Sequence, residues 1–79
     1  MKDSDRYAKI VEWSEDDQCY IGRAPGFMFG GCHGANEQAV FAELCDIIDE
    51  TIASMKADGD PLPPPTIGPN LVKVLDAAE

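Results

Sequence analysis

The chain has 79 residues, 15 acidic and 6 basic, giving a formal net charge of −9. A single domain of this size (1–79) buries about 60% of the surface its unfolded chain exposes, and 44% hydrophobic residues imply a packed core rather than disorder. The charge argues against partners that need their phosphates neutralised, nucleic acid or anionic lipid, and favours a basic protein, although an acidic surface serves solubility equally well.

Met1 to Asp5 is polar and reads as a frayed terminus without the apolar stretch of a signal peptide, and no apolar run reaches the ~20 residues a membrane helix needs. A cytoplasmic protein is the simplest expectation. Arg6 to Trp13 alternates with period two and predicts a strand. Tyr7, Lys9, Val11 and Trp13 fall on one face, and Ala8, Ile10 and Glu12 on the other. Ser14 to Gln18 is a polar, acidic turn, and Cys19 to Arg23 resumes as a second strand, so the two make an antiparallel hairpin.

Ala24-Pro25-Gly26 stops that strand. Phe29 to His33 predicts a short third strand, antiparallel to the second, with a glycine allowing a bulge or a close backbone approach. The glycines do not form a phosphate cradle, because the Walker and dinucleotide patterns are absent and no lysine follows.

Asn36 is a good helix N-cap, and Gly59 followed by Pro61 marks the end of that helix near Asp58. Val40, Phe41, Leu44, Cys45, Ile47, Ile48, Ile52 and Met55 make a broad apolar face; Glu43, Asp46, Asp49, Glu50 and Ser54 occupy the rest. Carboxylates at this spacing invite a metal or acid/base reading, but the solvated face of an amphipathic helix explains them better. Asp60 to Thr66 must be extended and polyproline-like. It reads as a stiff spacer with Leu62 against the helix, in preference to a ligand for an aromatic groove. Residues 70–79 fit either a helix or a fourth strand; Asn70 as a cap and Ala77-Ala78 favour the helix.

The fold class is therefore α+β: a three-stranded antiparallel sheet in β-β-β-α order, one face covered by the long helix. The core spans about residues 6–60, and 61–79 form a proline-rich exit and tail. One helix cannot cover all the large apolar groups, so Tyr7, Phe27, Met28 and Phe29 are candidates for an oligomer interface, dimer or higher. Cys19, Cys32 and Cys45 lack metal-ligand spacing and read as reduced thiols. Cys32 and His33 are neighbours in an extended segment and point to opposite faces, which speaks against a nucleophile–base pair. No catalytic residue, metal site or cofactor is expected.

Several strings together carry a resemblance. Arg6-Tyr7, Trp13-Ser14-Glu15-Asp16-Asp17, Tyr20-Ile21-Gly22, Pro25-Gly26-Phe27, Gly30-Gly31-Cys32-His33-Gly34, Glu43-Leu44-Cys45, Ile48 and Asp58-Gly59-Asp60-Pro61-Leu62-Pro63-Pro64-Pro65 resemble, in order and spacing, the HicB-like antitoxin family. The match covers roughly Arg6 to Gly68. It implies a partial ribonuclease-H-like fold. It also implies neutralisation of a small basic HicA-type toxin, an RNA-cleaving protein with a double-stranded-RNA-binding-like fold.

Two departures bear on that resemblance. Many members carry a C-terminal DNA-binding segment, for which 70–79 offer too little length and too few basic residues, so no direct nucleic acid binding is expected. Ribonuclease-H-type enzymes cluster carboxylates around metal on the sheet, whereas the predicted strands hold only Glu12, so nuclease activity is not expected. The residues expected to meet a basic toxin are Glu15, Asp16 and Asp17, with Trp13 as an apolar anchor. The competing expectation is a self-associating regulatory or scaffold domain with no toxin partner.

Overall fold

The chain runs through three strands, a long helix and a short one, and a computed structural model describes residues 1–27 and 31–77. Strands β1 (Ile10–Ser14), β2 (Cys19–Arg23) and β3 (Cys32–Gly34) form one antiparallel sheet in the order β1-β2-β3. Helix α1 covers Glu37–Asp58 and helix α2 covers Pro69–Ala77. The α+β class and the β-β-β-α order agree with the sequence pattern.

The first strand starts later than the alternation predicts. Asp3–Arg6 is instead a 3-10 turn, not a frayed end, and Ser4 within it is buried. Asp5 accepts a hydrogen bond from the Lys2 backbone N–H at 2.9 Å, and the Lys9 ammonium donates to the Ser4 carbonyl at 2.7 Å. Ion pairs of Asp3 with Lys56 and of Lys2 with Asp49 fasten this turn to α1. Tyr7 then turns inward rather than lying along a strand. It is 3% exposed, its hydroxyl donates to the Pro63 carbonyl at 2.7 Å, and its ring meets Phe27 edge-on at 4.7 Å. Tertiary burial of one aromatic overrides the local alternation of residues 6–9.

Register divides the sheet into two faces. Val11, Gly22 and Cys32 align across the three strands, as do Trp13, Tyr20 and Gly34. A Cβ built on Gly22 would point at Val40 and Leu44, so these two rows face α1. Ile10, Glu12, Ser14, Cys19, Ile21, Arg23 and His33 face the other way.

β3 is shorter than predicted and shifted by one residue towards the helix. Its expected first two residues, Phe29 and Gly30, lie outside the described residues, and Gly31 stands before the strand at φ 95. A Cβ on Gly31 would sit 2.9 Å from the Gly22 carbonyl oxygen, which is the close backbone approach the glycines predict.

α1 is capped as its ends predict. The Asn36 side chain accepts from the Ala39 N–H at 2.8 Å, and Gly59 adopts the left-handed conformation at φ 76. Val40, Leu44, Ile48 and Ile52 form its buried stripe and meet Tyr7, Ala24, Phe27 and Cys32, with Val11, Tyr20, Ile47 and Leu62 packed around them.

The proline-rich stretch passes beside residues 6–8. The Thr66 N–H donates to the Arg6 carbonyl at 3.0 Å, and its hydroxyl accepts from the Ala8 N–H at 2.9 Å. The tail is helical, with Pro69 rather than Asn70 at its start, where a missing N–H costs nothing. Val74 of α2 rests against the Gly26 turn. No helix of the described residues is long and apolar enough to cross a membrane.

Candidate partner-binding surface

The hairpin turn between β1 and β2 holds its acidic side chains in an ordered frame. The Gln18 N–H donates to the Ser14 carbonyl at 2.8 Å, with Gln18 at φ 53. The Ser14 hydroxyl donates to the Asp17 carboxylate at 3.0 Å and accepts from the Asp17 N–H at 3.2 Å. The Gln18 amide donates to the Glu15 carbonyl at 2.6 Å. These local bonds satisfy the turn backbone and leave Glu15 and Asp16 exposed. None of the ion pairs among the described residues uses Glu15, Asp16 or Asp17.

Trp13 sits one residue before this turn, on the α1 side of the edge strand. Its ring stands edge-on to Tyr20 at 5.2 Å and 73°, yet it remains 45% exposed. Trp13 is thus a half-exposed indole on the α1 face, two residues before Glu15 in the chain, whereas Asp17 bonds to Ser14 and lines the depression on the opposite face with Cys19, Ile21 and His33. An aromatic held by one good contact and open on its other side has the anatomy of an interface anchor.

Sequence reasoning missed the continuation of this patch. A groove of about 390 Å³ runs between β1 and the first turns of α1, lined by Val11, Glu37, Gln38 and Phe41. Phe41 is 46% exposed because it flanks the stripe Val40, Leu44, Ile48, Ile52 instead of lying on it. That four-residue stripe, read by itself, was the available signal: Phe41 stands one residue off it.

The residues proposed for an oligomer interface are placed differently. Tyr7 and Phe27 are core residues, 3% and 5% exposed and packed on one another, so neither offers surface to a second copy. Their burial comes from the inward turn at Tyr7 and the stop at Ala24–Gly26. Met28 and Phe29 lie outside the described residues. Exposed apolar side chains are found instead on and before α2, at Ile67, Val72 and Leu75.

Cys32 and His33 diverge as the extended backbone requires. Cys32 is 8% exposed in the core, where burial pushes its thiol pKa up and its Sγ lies 3.7 Å from the Val40 carbonyl. His33 is exposed on the opposite face and lines a shallow depression of about 360 Å³ with Asp17, Cys19 and Ile21. Register thus brings His33 near Cys19 rather than Cys32. Among the described residues no group of three or more His, Cys, Asp or Glu side chains is arranged to hold a metal ion. On α1, Asp49 is engaged with Lys2, whereas Glu43, Asp46 and Glu50 are exposed to water.

Comparison of the chain with protein-family models, with curated proteins and with solved structures finds no match.

Proposed function

We propose that this chain is an antitoxin-type binding module that neutralises a small basic RNA-cleaving protein of the HicA type by covering its RNA-binding surface. The observation that carries the reading is a half-exposed Trp13 followed within four residues by the exposed Glu15, Asp16 and Asp17 of the hairpin turn, on a chain of net charge −9. Carboxylates there attract a cationic surface and speed encounter, while the indole supplies desolvated contact area once the surfaces meet. The resemblance of the sequence strings to HicB-like antitoxins names the partner class. A cytoplasmic location is part of this proposal.

The test uses a candidate small basic protein of the HicA type, such as one encoded beside this gene, purified alone and mixed with the acidic chain. The reading requires a stable complex and loss of RNA cleavage at stoichiometric addition. Cleavage that continues unchanged in the presence of excess acidic chain removes it.

A second reading, a self-associating scaffold, is favoured by the exposed Val72 and Leu75 of α2 and by Ile67 just before it. Sedimentation of the isolated protein separates the two readings. A stable dimer or higher oligomer that ignores the basic protein favours the scaffold.

A further inference from the structure

β1 is an edge strand that pairs only with β2 among the described residues, so its outer row of N–H and C=O groups has no ladder partner there. The opposite edge, β3, is three residues long, whereas β1 offers five. Beside the β1 edge lies the groove lined by Val11 and Phe41, with Glu37 and Gln38 at its polar end. Val11 and Trp13 point to this side of the sheet and Glu12 to the other. A strand added to β1 would therefore send alternate side chains towards the groove and the remainder towards Glu12.

Charge decides the occupant. A second copy pairing symmetrically along the whole of Ile10–Ser14 would set Glu12, the middle residue, directly opposite its own counterpart. It would also bring together two chains that each carry a net charge of −9. A cationic segment meets neither penalty. Glu12 is paired with Arg23 at 3.4 Å, but both side chains are about half exposed, so the pair is weak and open to exchange.

We propose that an extended basic segment of the partner protein adds to β1 as a fourth strand. Its alternate apolar side chains seat against Val11, Trp13 and Phe41 on the groove side, and its Lys or Arg side chains approach Glu12 on the other. This deepens the reading above by naming the surface and the mode of docking, and rests on it for the partner's identity. Main-chain hydrogen bonds supply affinity and the groove supplies selectivity.

The probe is a fluorescent peptide of alternating Lys and Val around a central Phe, with two versions N-methylated at alternate nitrogens in opposite frames. Binding to the full chain is read by anisotropy at low salt, and the site by amide hydrogen exchange. The proposal requires that one methylated frame loses about tenfold or more in affinity while the other binds normally, as expected when a whole row of hydrogen bonds is removed. It also requires new protection at alternate β1 amides, and weakening by about tenfold in Phe41→Lys, whose side chain is exposed enough for the fold to persist.

The proposal is overturned by no binding up to about 1 mM, by equal binding of both methylated frames, or by protection confined to β3 or α1. β1 amides already protected by self-association in the free protein overturn it too. Toxin neutralisation that survives Phe41→Lys undiminished overturns this docking mode and leaves the antitoxin reading standing. Peptide pairing on β1 without neutralisation of the basic protein supports the docking mode and removes the antitoxin reading.

Discussion

A Cβ placed on Gly22 would stand 2.9 Å from Cγ1 of Val40, closer than real side-chain contacts allow, so α1 rests on β2 at a distance set by a missing side chain. The same atom would lie 3.0 Å from Sγ of Cys32. Gly22→Ala gains about 0.4–1 kcal/mol by restricting the unfolded chain but overpacks the interface by about 1–3 kcal/mol. The expected outcome is net destabilisation of about 1–2 kcal/mol, and more for Gly22→Val, measured by urea unfolding. A neutral Gly22→Ala would show that α1 lifts from the sheet without loss.

Thr66 ties the proline-rich exit to the start of the chain. It is 1% exposed, and its hydroxyl is the partner of the Ala8 N–H. Thr66→Val preserves shape and strands that donor, with an expected cost of about 1–3 kcal/mol. Tyr7→Phe removes the bond to the Pro63 carbonyl and should cost about 0.5–1.5 kcal/mol. Both variants should speed proteolytic cleavage between Asp60 and Ile67, and Thr66→Val the more. A stretch cut equally fast in the wild type would show that these bonds do not hold it.

The two pieces of the fold that follow from local rules were legible in the sequence. Asn36 and Gly59 bracket α1 because caps depend on a few adjacent residues, and the β1–β2 hairpin follows from alternation around a polar turn. What was not legible depends on distant contacts. Tyr7 leaves the strand pattern because Phe27 and Pro63 receive it, and neither is near it in sequence. Pairing between strands likewise decides that His33 faces the depression beside Cys19, and helix placement decides that Phe41 flanks a groove. The acidic hairpin with Trp13 was readable in advance because its four residues are nearly contiguous.

Thiol chemistry separates the three cysteines. Cys32 is buried, with its pKa raised by desolvation first and by the Glu43 charge second, while Cys19 and Cys45 are partly exposed. In the native state an alkylating reagent should modify Cys19 and Cys45 before Cys32, which reacts only as the protein unfolds. Mass spectrometry of partially alkylated protein gives the order. Cys32 reacting first would mean that the β3–α1 packing opens readily.

Stability should fall at both ends of the pH scale. A hydrogen bond and the charge of Lys56 hold the Asp3 carboxyl below its ordinary value, and hydrogen bonding from Ser4 and then Lys2 does the same for Asp49. Depressed carboxyls contribute stability that is present above the unfolded pKa, about 3.9, and is lost as pH falls through the folded value. Burial raises Tyr7 and Cys32, so their contribution is present below the unfolded values of about 10 and 8.5 and is lost as pH rises beyond them. Thermal melting between about pH 5 and 2 should show an acid loss that Lys56→Gln makes shallower. Both carboxyls lie at the surface, so about 0.5 M salt should weaken this acid effect as well. An unchanged slope in Lys56→Gln would remove Asp3 from the account.

Reversing charge at the hairpin tests attraction separately from folding. Glu15 and Asp16 are exposed, and their side chains take part in none of the hydrogen bonds or ion pairs found among the described residues. The double variant Glu15→Lys with Asp16→Lys should therefore change stability by no more than about 0.5 kcal/mol. Its association with a basic partner should slow by about tenfold at low salt, with a smaller change in dissociation, because rim charges act chiefly on encounter. Trp13→Ala should behave in the opposite sense, with little change in association and dissociation faster by about tenfold or more, as truncating a desolvated anchor requires. Stopped-flow binding at two salt concentrations reads both effects. If the two variants alter the same rate constant to the same degree, the division of labour between carboxylates and indole is wrong, and the hairpin acts as a single packed contact.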